Sequence, residues 1–350
     1  MAVDAHAAPS EDAKPDLQKI TLPYQRPNLR TALWQVVDTL IPYFLLWYLM
    51  VRTVHRGYPY GVTLALAVIA SAFLTRTFII FHDCTHSAFF ASRHANTALG
   101  YICGILTFTP YEEWRRTHAI HHVTVADLDR RGTGDVWTMT ADEFQAAPRR
   151  VRLAYRVLRN PLALLGLGPI FDFLLFYRFA GKGAQKRERT SVYITNAALL
   201  AIMVVASLII GLRTYVLVQL PVVFITGACG IWLFYVQHQF EGVYWSRHEA
   251  WDPLRAALEG SSHYQLPGVL QWVSGHIGMH HIHHIRPRIP NYHLQRCYDE
   301  IPALQAVRPL SIGRSLKSLR LNVYDEQRGQ LVSFRSLPRA PIPAPRVGPR

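Results

Sequence analysis

Four apolar runs constrain this chain more than any other feature of its sequence. They cover residues 31–51, 61–81, 191–212 and 215–236. Each is close to the roughly 20 residues that a helix needs to cross the hydrocarbon core of a bilayer. The first two runs and the last two runs each form a pair. The connection within the first pair, around Gly57 and Pro59, and the connection within the second, Arg213 and Thr214, are too short to form a domain. The sequence therefore predicts an all-α integral membrane protein with four transmembrane helices in two hairpins.

Two further apolar stretches, 95–111 and 161–177, are short for a full crossing, and Gly168 and Pro169 interrupt the second. We expect both to be interfacial or partly re-entrant helices. The expected organisation is a polar N-terminal segment at 1–30, a membrane domain at 31–332 and a Pro-rich tail at 333–350. Within the membrane domain, residues 82–190 and 237–332 are expected to form a histidine-rich helical cap.

The positive charge of the chain is unevenly distributed. Lys and Arg number 37 against 23 Asp and Glu, a net charge of +14, yet Arg52, Arg56 and Arg213 are the only basic residues in the two short connections. This asymmetry follows the positive-inside rule and predicts that both termini and the cap lie in the cytosol, with the spans in the cytoplasmic membrane. Basic runs at 149–159 and 182–189 suit acidic lipid headgroups. No nucleic-acid-binding motif accompanies the charge, so nucleic acid is not an expected partner.

The 17 histidines of the chain concentrate in ordered clusters near the ends of the apolar runs. Three boxes, HDCTH, HAIHH and HHIHH, use the helical spacings i, i+3 and i+4, which place side chains on one face. A single histidine follows the fourth run, in YVQHQFE. The candidate metal ligands are His82, His86, His118, His121, His122, His238, His280, His283 and His284.

Nine imidazoles are too many for one zinc ion, which takes three or four protein ligands, and HDCTH lacks the Glu of the HExxH zinc motif. Imidazole suits zinc, copper, iron and nickel, so ligand type alone does not select the metal. The number of ligands indicates two metals at the membrane surface. A divalent-metal transporter would need polar ligands at mid-membrane depth. Within the four apolar runs Asp38 and Arg76 are the only clear charges, and the histidine clusters lie near the ends of the runs, so the sequence does not favour transport. A metal-stabilised adaptor without catalysis would not need so many ligands.

The segments HDCTHSAFF, WRRTHAIHHVTVADLDRRGTGDV, FYVQHQFE and HHIHHIRPRIPNYHL resemble the membrane fatty acid desaturases, in particular bacterial acyl-lipid desaturases related to the Δ12 (omega-6) group. The resemblance runs from about residue 31 to 332. It implies that the box histidines, and His238 as an extra ligand, bind a non-haem di-iron centre. It further implies that the centre inserts a cis double bond into an acyl chain, with O₂ as co-substrate and two external electrons.

Several residues near the boxes could support the ligands from outside. Carboxylates can accept the second N–H of a metal-bound imidazole and fix its orientation. The candidates are Asp83, Asp127, Asp129, Asp135 and Glu241. His276 stands where similar desaturases often carry Asp or Asn, and we count it as a further candidate; His281 adds an imidazole inside the third box. The remaining histidines, among them His94, His248 and His263, have no expected role.

The chain has no Gly-rich dinucleotide motif and no cytochrome b5 segment, so a separate ferredoxin-like carrier with its reductase is the expected electron donor. Acyl chains of membrane lipids are the expected substrate. The nearest alternative is a lipid or alkane hydroxylase on the same di-iron scaffold, because the boxes do not separate the two outcomes. The length of an apolar tunnel would set the double-bond position, which the sequence does not reveal.

Overall fold

The computed structural model describes residues 16–337 and is mostly helical. The N-terminal residues up to 15, with His6, and the tail from 338 onward lie outside the described residues. The helices in the first half of the chain are α1 (Leu17–Ile20), α2 (Leu29–His55), α3 (Tyr60–Thr85), α4 (Arg93–Leu106), α5 (Tyr111–Thr124), α6 (Ala141–Ala146) and α7 (Arg149–Leu158). They continue with α8 (Lys186–Ile210), α9 (Leu212–His238), α10 (Pro253–Leu258), α11 (Gly268–Val273), α12 (His280–Ile285), α13 (Asn291–Glu300), α14 (Pro302–Gln305) and α15 (Ile312–Ser315).

Within residues 16–337, four helices are long and apolar enough to cross a membrane: α2, α3, α8 and α9. This finding confirms the four predicted apolar helices, although their ends differ from the apolar runs. α3 continues past residue 81 to Thr85, and α8 begins at Lys186 with a capping box between Gln185 and Glu188. The backbone hydrogen bonds of a helix can continue beyond its apolar stretch where the polar side chains there have partners. His82 is therefore part of the α3 helix rather than of a following loop.

Three of the long helices share one core. Tyr43 and Met50 of α2 pack with Leu74 of α3 and with Val218 and Val222 of α9. α8 is the least buried of the four, and its Leu208 side chain is 83% exposed. Such apolar exposure suits a helix surrounded by lipid, because hydrocarbon chains take the place of protein neighbours.

Asp38 and Arg76, the two charged residues of the apolar runs at 31–51 and 61–81, lie close to each other. Arg76 Nε is 3.9 Å from Asp38 Oδ1 and donates a hydrogen bond to Thr39 Oγ1 at 3.1 Å. The guanidinium also lies over the Trp272 ring, 4.0 Å from its centroid, and donates to the Trp272 carbonyl. A buried cation is retained where such partners satisfy it. Arg76 thereby ties α3 to the segment that precedes the third histidine box.

The stretch at 95–111 contains a helix, a turn and the start of a second helix. α4 ends at Leu106, Phe108 has a left-handed φ of 59°, and α5 begins at Tyr111. Two glycines allow this close return. A Cβ at Gly100 would lie 2.2 Å from the Tyr111 ring, and one at Gly104 would lie 2.5 Å from the Thr109 carbonyl oxygen.

Replacing Gly104 by Ala is therefore expected to lower the stability of the protein. The added methyl group meets backbone, which cannot rotate away, and overpacking of this kind costs typically 1–3 kcal/mol. The measurement is the apparent Tm of the purified protein in detergent. Gly61→Ala is the control, because a Cβ there meets nothing within 4 Å. Equal Tm values for the two variants would contradict the close packing of α4 on the α5 turn.

The stretch at 161–177 is helical, with two π-helical segments, Ala163–Leu167 and Ile170–Leu175, and a 3₁₀ turn, Phe176–Arg178, and it follows α7 at a bend of 69°. If this bent pair counts as one crossing, the spans within residues 16–337 number five. The segment packs on α9, where a Cβ at Gly227 would lie 2.9 Å from Pro169. The prediction of an interruption at Gly168 and Pro169 is wrong, because both residues keep helical backbone angles and the bend lies before Ala163 instead.

The prediction of purely helical structure needs a correction. β1 (His263–Gln265) pairs in parallel with β2 (Pro309–Ser311), and β3 (Val323–Asp325) pairs antiparallel with β4 (Gln330–Val332). All four strands belong to the segment after α9. Each has three residues, too few for the alternating pattern that marks a strand in a sequence.

Candidate metal centre

Four elements bring the nine candidate histidines to one end of α3 and α9. The last turn of α3 carries His82 and its C-cap is His86, while His238 is the last residue of α9. α5 and α12 each contribute three histidines beside these helix ends. The structure thus gathers every histidine that the sequence singled out as a ligand.

The nine side chains divide into two groups, in each of which the ligand atoms lie within 4.8 Å of one another. The five-histidine group consists of His82, His86, His118, His122 and His283. The four-histidine group consists of His121, His238, His280 and His284. Helical spacing explains which histidines of one box stay together, because residues four apart share a face. In HAIHH the pair His118 and His122 therefore stays in one group and His121 joins the other, and in HHIHH the pair His280 and His284 stays in one group and His283 joins the other.

The ring nitrogens in each group lie at the separation expected of metal ligands. In the five-histidine group, His118 Nε2 is 3.0 Å from His82 Nε2 and 3.1 Å from His122 Nε2. In the four-histidine group, His280 Nε2 is 3.0 Å from His238 Nε2 and 3.1 Å from His284 Nε2. With a metal–nitrogen bond of about 2.1 Å, two ligands at a right angle lie about 3 Å apart.

Outer hydrogen bonds fix which nitrogen of two key rings carries the proton. His121 Nδ1 is 2.6 Å from Asp135 Oδ1, and His238 Nδ1 is 3.1 Å from the Gly260 carbonyl oxygen. Since both partners only accept, each Nδ1 donates and each Nε2 is left with a bare lone pair. These two Nε2 atoms lie 3.1 Å apart. Two lone pairs at that distance repel unless a cation lies beside them, so the residues fit a metal.

Burial keeps five further imidazoles neutral. Removal from water lowers the pKa well below its usual range, and neighbouring imidazoles lower it further, for His118, His122, His280, His283 and His284. A neutral ring keeps the lone pair that a metal needs. These five imidazoles are therefore ready to bind metal at neutral pH.

Two of the predicted outer carboxylates contact the groups. Asp135 accepts from His121 as described, and Asp83 Oδ1 lies 3.3 Å from His82 Nδ1. Asp83 is itself held by Asn291, whose backbone N and Nδ2 donate to Asp83 Oδ2 at 2.6 and 2.8 Å. Both carboxylates are buried or nearly so, and few other hydrogen-bond donors, water included, can reach them.

The other outer candidates have different partners. Asp127 accepts from His248 Nδ1 at 2.8 Å, Asp129 pairs with Arg247 at 2.7 Å, and Glu241 lies 3.7 Å from Lys317. The ion pairs of Asp129 and Glu241 are exposed to solvent on the surface of the cap. The expectation that these three carboxylates face ligand histidines is therefore not met in the structure.

His276 and His281 also lie outside both groups. His281 Nε2 faces the Leu304 carbonyl oxygen at 3.2 Å, and its ring packs on His263. His276 adopts a left-handed φ of 58° in the turn before the third box. Three contacts were missed from the sequence: the Gly260 carbonyl, Asn291, and Trp114, which stacks on His118 with 4.2 Å between ring centroids. Asn291 lies in the PRIPNYHL segment, which was the one available signal.

An apolar cavity of about 410 Å³ begins at the two histidine groups. His82 and His118 of the five-histidine group and His280 of the four-histidine group line this end of the cavity. Along α9 the lining residues run from Gln237 to Val223, about 20 Å at the rise of a helix. One leaflet of a bilayer is about 15 Å of hydrocarbon, so the cavity has the depth to take an acyl chain.

A helical membrane protein with two histidine groups at the end of a long apolar cavity has the features of a membrane oxidoreductase for apolar substrates. The sequence profile of the fatty acid desaturase family matches residues 58–312. A fatty acid desaturase of Bacillus subtilis is 45% identical over 333 residues, which are 95% of this chain and 94% of that protein. The chain therefore belongs to the fatty acid desaturase family, as the resemblance of its histidine boxes predicted.

More distant relatives are named for particular positions and carriers. An sn-1 oleoyl-lipid 12-desaturase of Synechocystis is 26% identical over 238 residues, 65% of each chain. An omega-3 fatty acid desaturase of the endoplasmic reticulum of Nicotiana tabacum is 25% identical over 295 residues, 77% of this chain and 75% of that protein. The matches cover both bacterial and plant desaturases, and support an oxidoreductase that acts on lipid acyl chains.

Proposed function

We propose that this protein is an acyl-lipid desaturase that inserts a cis double bond into a membrane-lipid acyl chain. The observation that carries the proposal is the pair of histidine groups in the wall of an apolar cavity. The overall change is –CH₂–CH₂– + O₂ + 2 H⁺ + 2 e⁻ → –CH=CH– + 2 H₂O. The Synechocystis relative is named for an oleoyl lipid, which supports a lipid rather than a thioester carrier.

The five-histidine group would hold one iron and the four-histidine group the other. When bound, the irons supply the redox chemistry by which O₂ and two electrons remove two hydrogens from adjacent methylenes. The protein contributes the ligand geometry. Asp83, Asp135 and the Gly260 carbonyl keep a proton on Nδ1 of His82, His121 and His238, so that the Nε2 atom of each ring would be free to bind a metal.

The cavity would bind and orient the acyl chain. Its walls near the histidines include Phe78, Ile79 and Phe234, which exclude water from the reacting carbons. A chain held straight along α9 presents one pair of carbons to the groups. The depth of the cavity beyond that point would set the position of the double bond.

Electrons would come from a separate ferredoxin-like carrier and its reductase. The positive-inside distribution of charge supports a cytosolic location of the histidine groups and of both termini, where such a carrier is available. The same distribution supports the cytoplasmic membrane as the site of the protein.

The test is the fatty-acid profile of a host that expresses the chain, compared with hosts expressing His283→Ala or His94→Ala. His283 belongs to the five-histidine group, whereas His94 is exposed. Gas chromatography with mass spectrometry should detect a new unsaturated acid with the wild type and with His94→Ala, and none with His283→Ala. A hydroxylated product would instead establish the hydroxylase alternative. No product from membrane-inserted protein with a supplied carrier would contradict the proposal and favour metal transport.

Replacing Gly230 by Phe is expected to block the cavity. Gly230 lines it about 12 Å along α9 from His238, and a Cβ there meets no atom within 4 Å, so the ring can enter the open space. We expect turnover of palmitoyl or longer chains to fall at least about tenfold while short acyl chains and bound iron are less affected. Cys229→Phe is the control, because Cys229 is the exposed neighbour on the same helix. An equal loss in both variants would show that the cavity does not hold the chain.

A further inference from the structure

α7 has one face in the cap and one face exposed. Tyr155 is fully buried, and its hydroxyl donates to the Asn322 carbonyl oxygen. On the opposite side Leu153 is 65% exposed and Val157 49% exposed. Residues at i and i+4 share a face, so these two side chains form one apolar strip on the outer side of the helix.

Arginines flank this strip. Arg149, Arg150 and Arg156 are exposed and Arg152 is half-buried. Arg149 lies one turn before Leu153, and Arg156 lies one turn after it. No ion pair found within residues 16–337 includes any of the four arginines. A helix with exposed Leu and Val between unpaired arginines suits the interface of a bilayer, where long cationic side chains reach the phosphates.

The end of α7 reaches the cavity. Leu158, its last residue, lines the cavity and is nevertheless 54% exposed. Leu164, in the helical segment that follows the bend, also lines the cavity, and Leu162, between the two in sequence, is 83% exposed. The cavity therefore has an apolar edge directly beside the cationic helix.

We propose that the arginines of α7 bind the phosphate of an anionic glycerophospholipid whose acyl chain enters the cavity beside Leu158. This inference rests on the proposed function and adds a headgroup site to it. Guanidinium groups recognise phosphate by paired hydrogen bonds, and anionic lipids add an attraction over several arginines. The occupant is a lipid rather than an acidic protein, because the exposed strip continues into the apolar turns after the bend. Leu162, Phe176 and Phe179 expose their side chains along those turns.

The test uses the full chain with three substitutions, Arg149→Gln, Arg150→Gln and Arg152→Gln. Arg156 is left in place because its guanidinium also lies over the Phe144 and Phe334 rings, at 5.5 and 5.4 Å. The matched control carries Arg308→Gln, Arg320→Gln and Arg335→Gln, three exposed arginines elsewhere in the chain. Native mass spectrometry measures retained phosphatidylglycerol against phosphatidylcholine in detergent. Initial rates are measured on vesicles of each lipid, on diacylglycerol and on a soluble acyl thioester.

We expect the α7 variant to lose at least about tenfold in phosphatidylglycerol retention and in turnover of phosphatidylglycerol, while diacylglycerol turnover and the control variant change little. Unchanged retention in the α7 variant would overturn the inference. An equal loss of diacylglycerol turnover in the α7 variant would also overturn it. So would a loss of phosphatidylglycerol turnover that is seen with a protein electron donor and not with a chemical reductant. Preferred turnover of the thioester, lost in the α7 variant, would assign the arginines to a different phosphate. The measurement of phosphatidylglycerol retention does not depend on turnover. A failure of the proposed function is therefore recognised separately, by the absence of product from every substrate.

Discussion

Replacing His280 by Gln is expected to abolish formation of the unsaturated acyl chain, whereas His281→Gln should retain most of it. The two residues are neighbours on α12 and both are buried. His280 Nε2 lies within 3.1 Å of two other ring nitrogens of the four-histidine group, while His281 faces the Leu304 carbonyl. Loss of a ligand should cost more than the roughly 10–100-fold typical of losing an outer partner. The measurement is product per inserted protein by gas chromatography and mass spectrometry.

Metal content separates this effect from misfolding. The five-histidine group does not include His280, so His280→Gln should still bind one metal per chain and keep the wild-type elution volume in detergent. His281→Gln should bind as much metal as the wild type, because a Gln amide can still donate to the Leu304 carbonyl. Equal losses of activity in two folded variants would contradict the division into two groups.

Replacing Asp135 by Asn should lower activity and metal affinity by about 10–100-fold without displacing any ligand residue. Asp135 Oδ1 accepts a hydrogen bond from His121 Nδ1, with 2.6 Å between the two atoms, and the Asp135 side chain is nearly buried. An Asn removes the negative charge and can turn its NH₂ toward His121, which would move the ring proton to the nitrogen that faces the metal. Metal affinity is measured by competition with a chelator in detergent, and activity on the same preparations.

Asp129→Asn is the matched control. Asp129 lies in the same loop but pairs with exposed Arg247, and surface ion pairs contribute about 0–1 kcal/mol to stability. Its metal affinity and activity should match the wild type within about twofold. If Asp129→Asn loses as much as Asp135→Asn, then the loop as a whole matters, rather than the contact between Asp135 and His121.

The sequence predicted the long helices and the histidines that the structure brings together, because both depend on short-range patterns. An apolar run of a given length predicts a span, and residues four apart share a helical face, as His118 and His122 do. The division into two groups could not be predicted, since it depends on how α5 and α12 pack against the ends of α3 and α9.

Partners from distant parts of the chain were predicted less well. Asp127, Asp129 and Asp135 look alike in the sequence, yet only Asp135 meets a ligand histidine. The Gly260 carbonyl, 22 residues after His238, has no sequence signal because every residue carries a carbonyl. The short strands after α9 were missed for a related reason, since their pairing is set by tertiary contacts rather than by local preference.

The most direct test of this account is the iron content of the purified full chain, measured by inductively coupled plasma mass spectrometry beside His280→Gln and His283→Gln. One variant removes a residue of the four-histidine group and the other a residue of the five-histidine group. Two irons per chain in the wild type, and about one in each variant, are predicted. A wild-type protein that forms product with one iron per chain, or with another metal in its place, would contradict the assignment of two iron sites to these nine histidines.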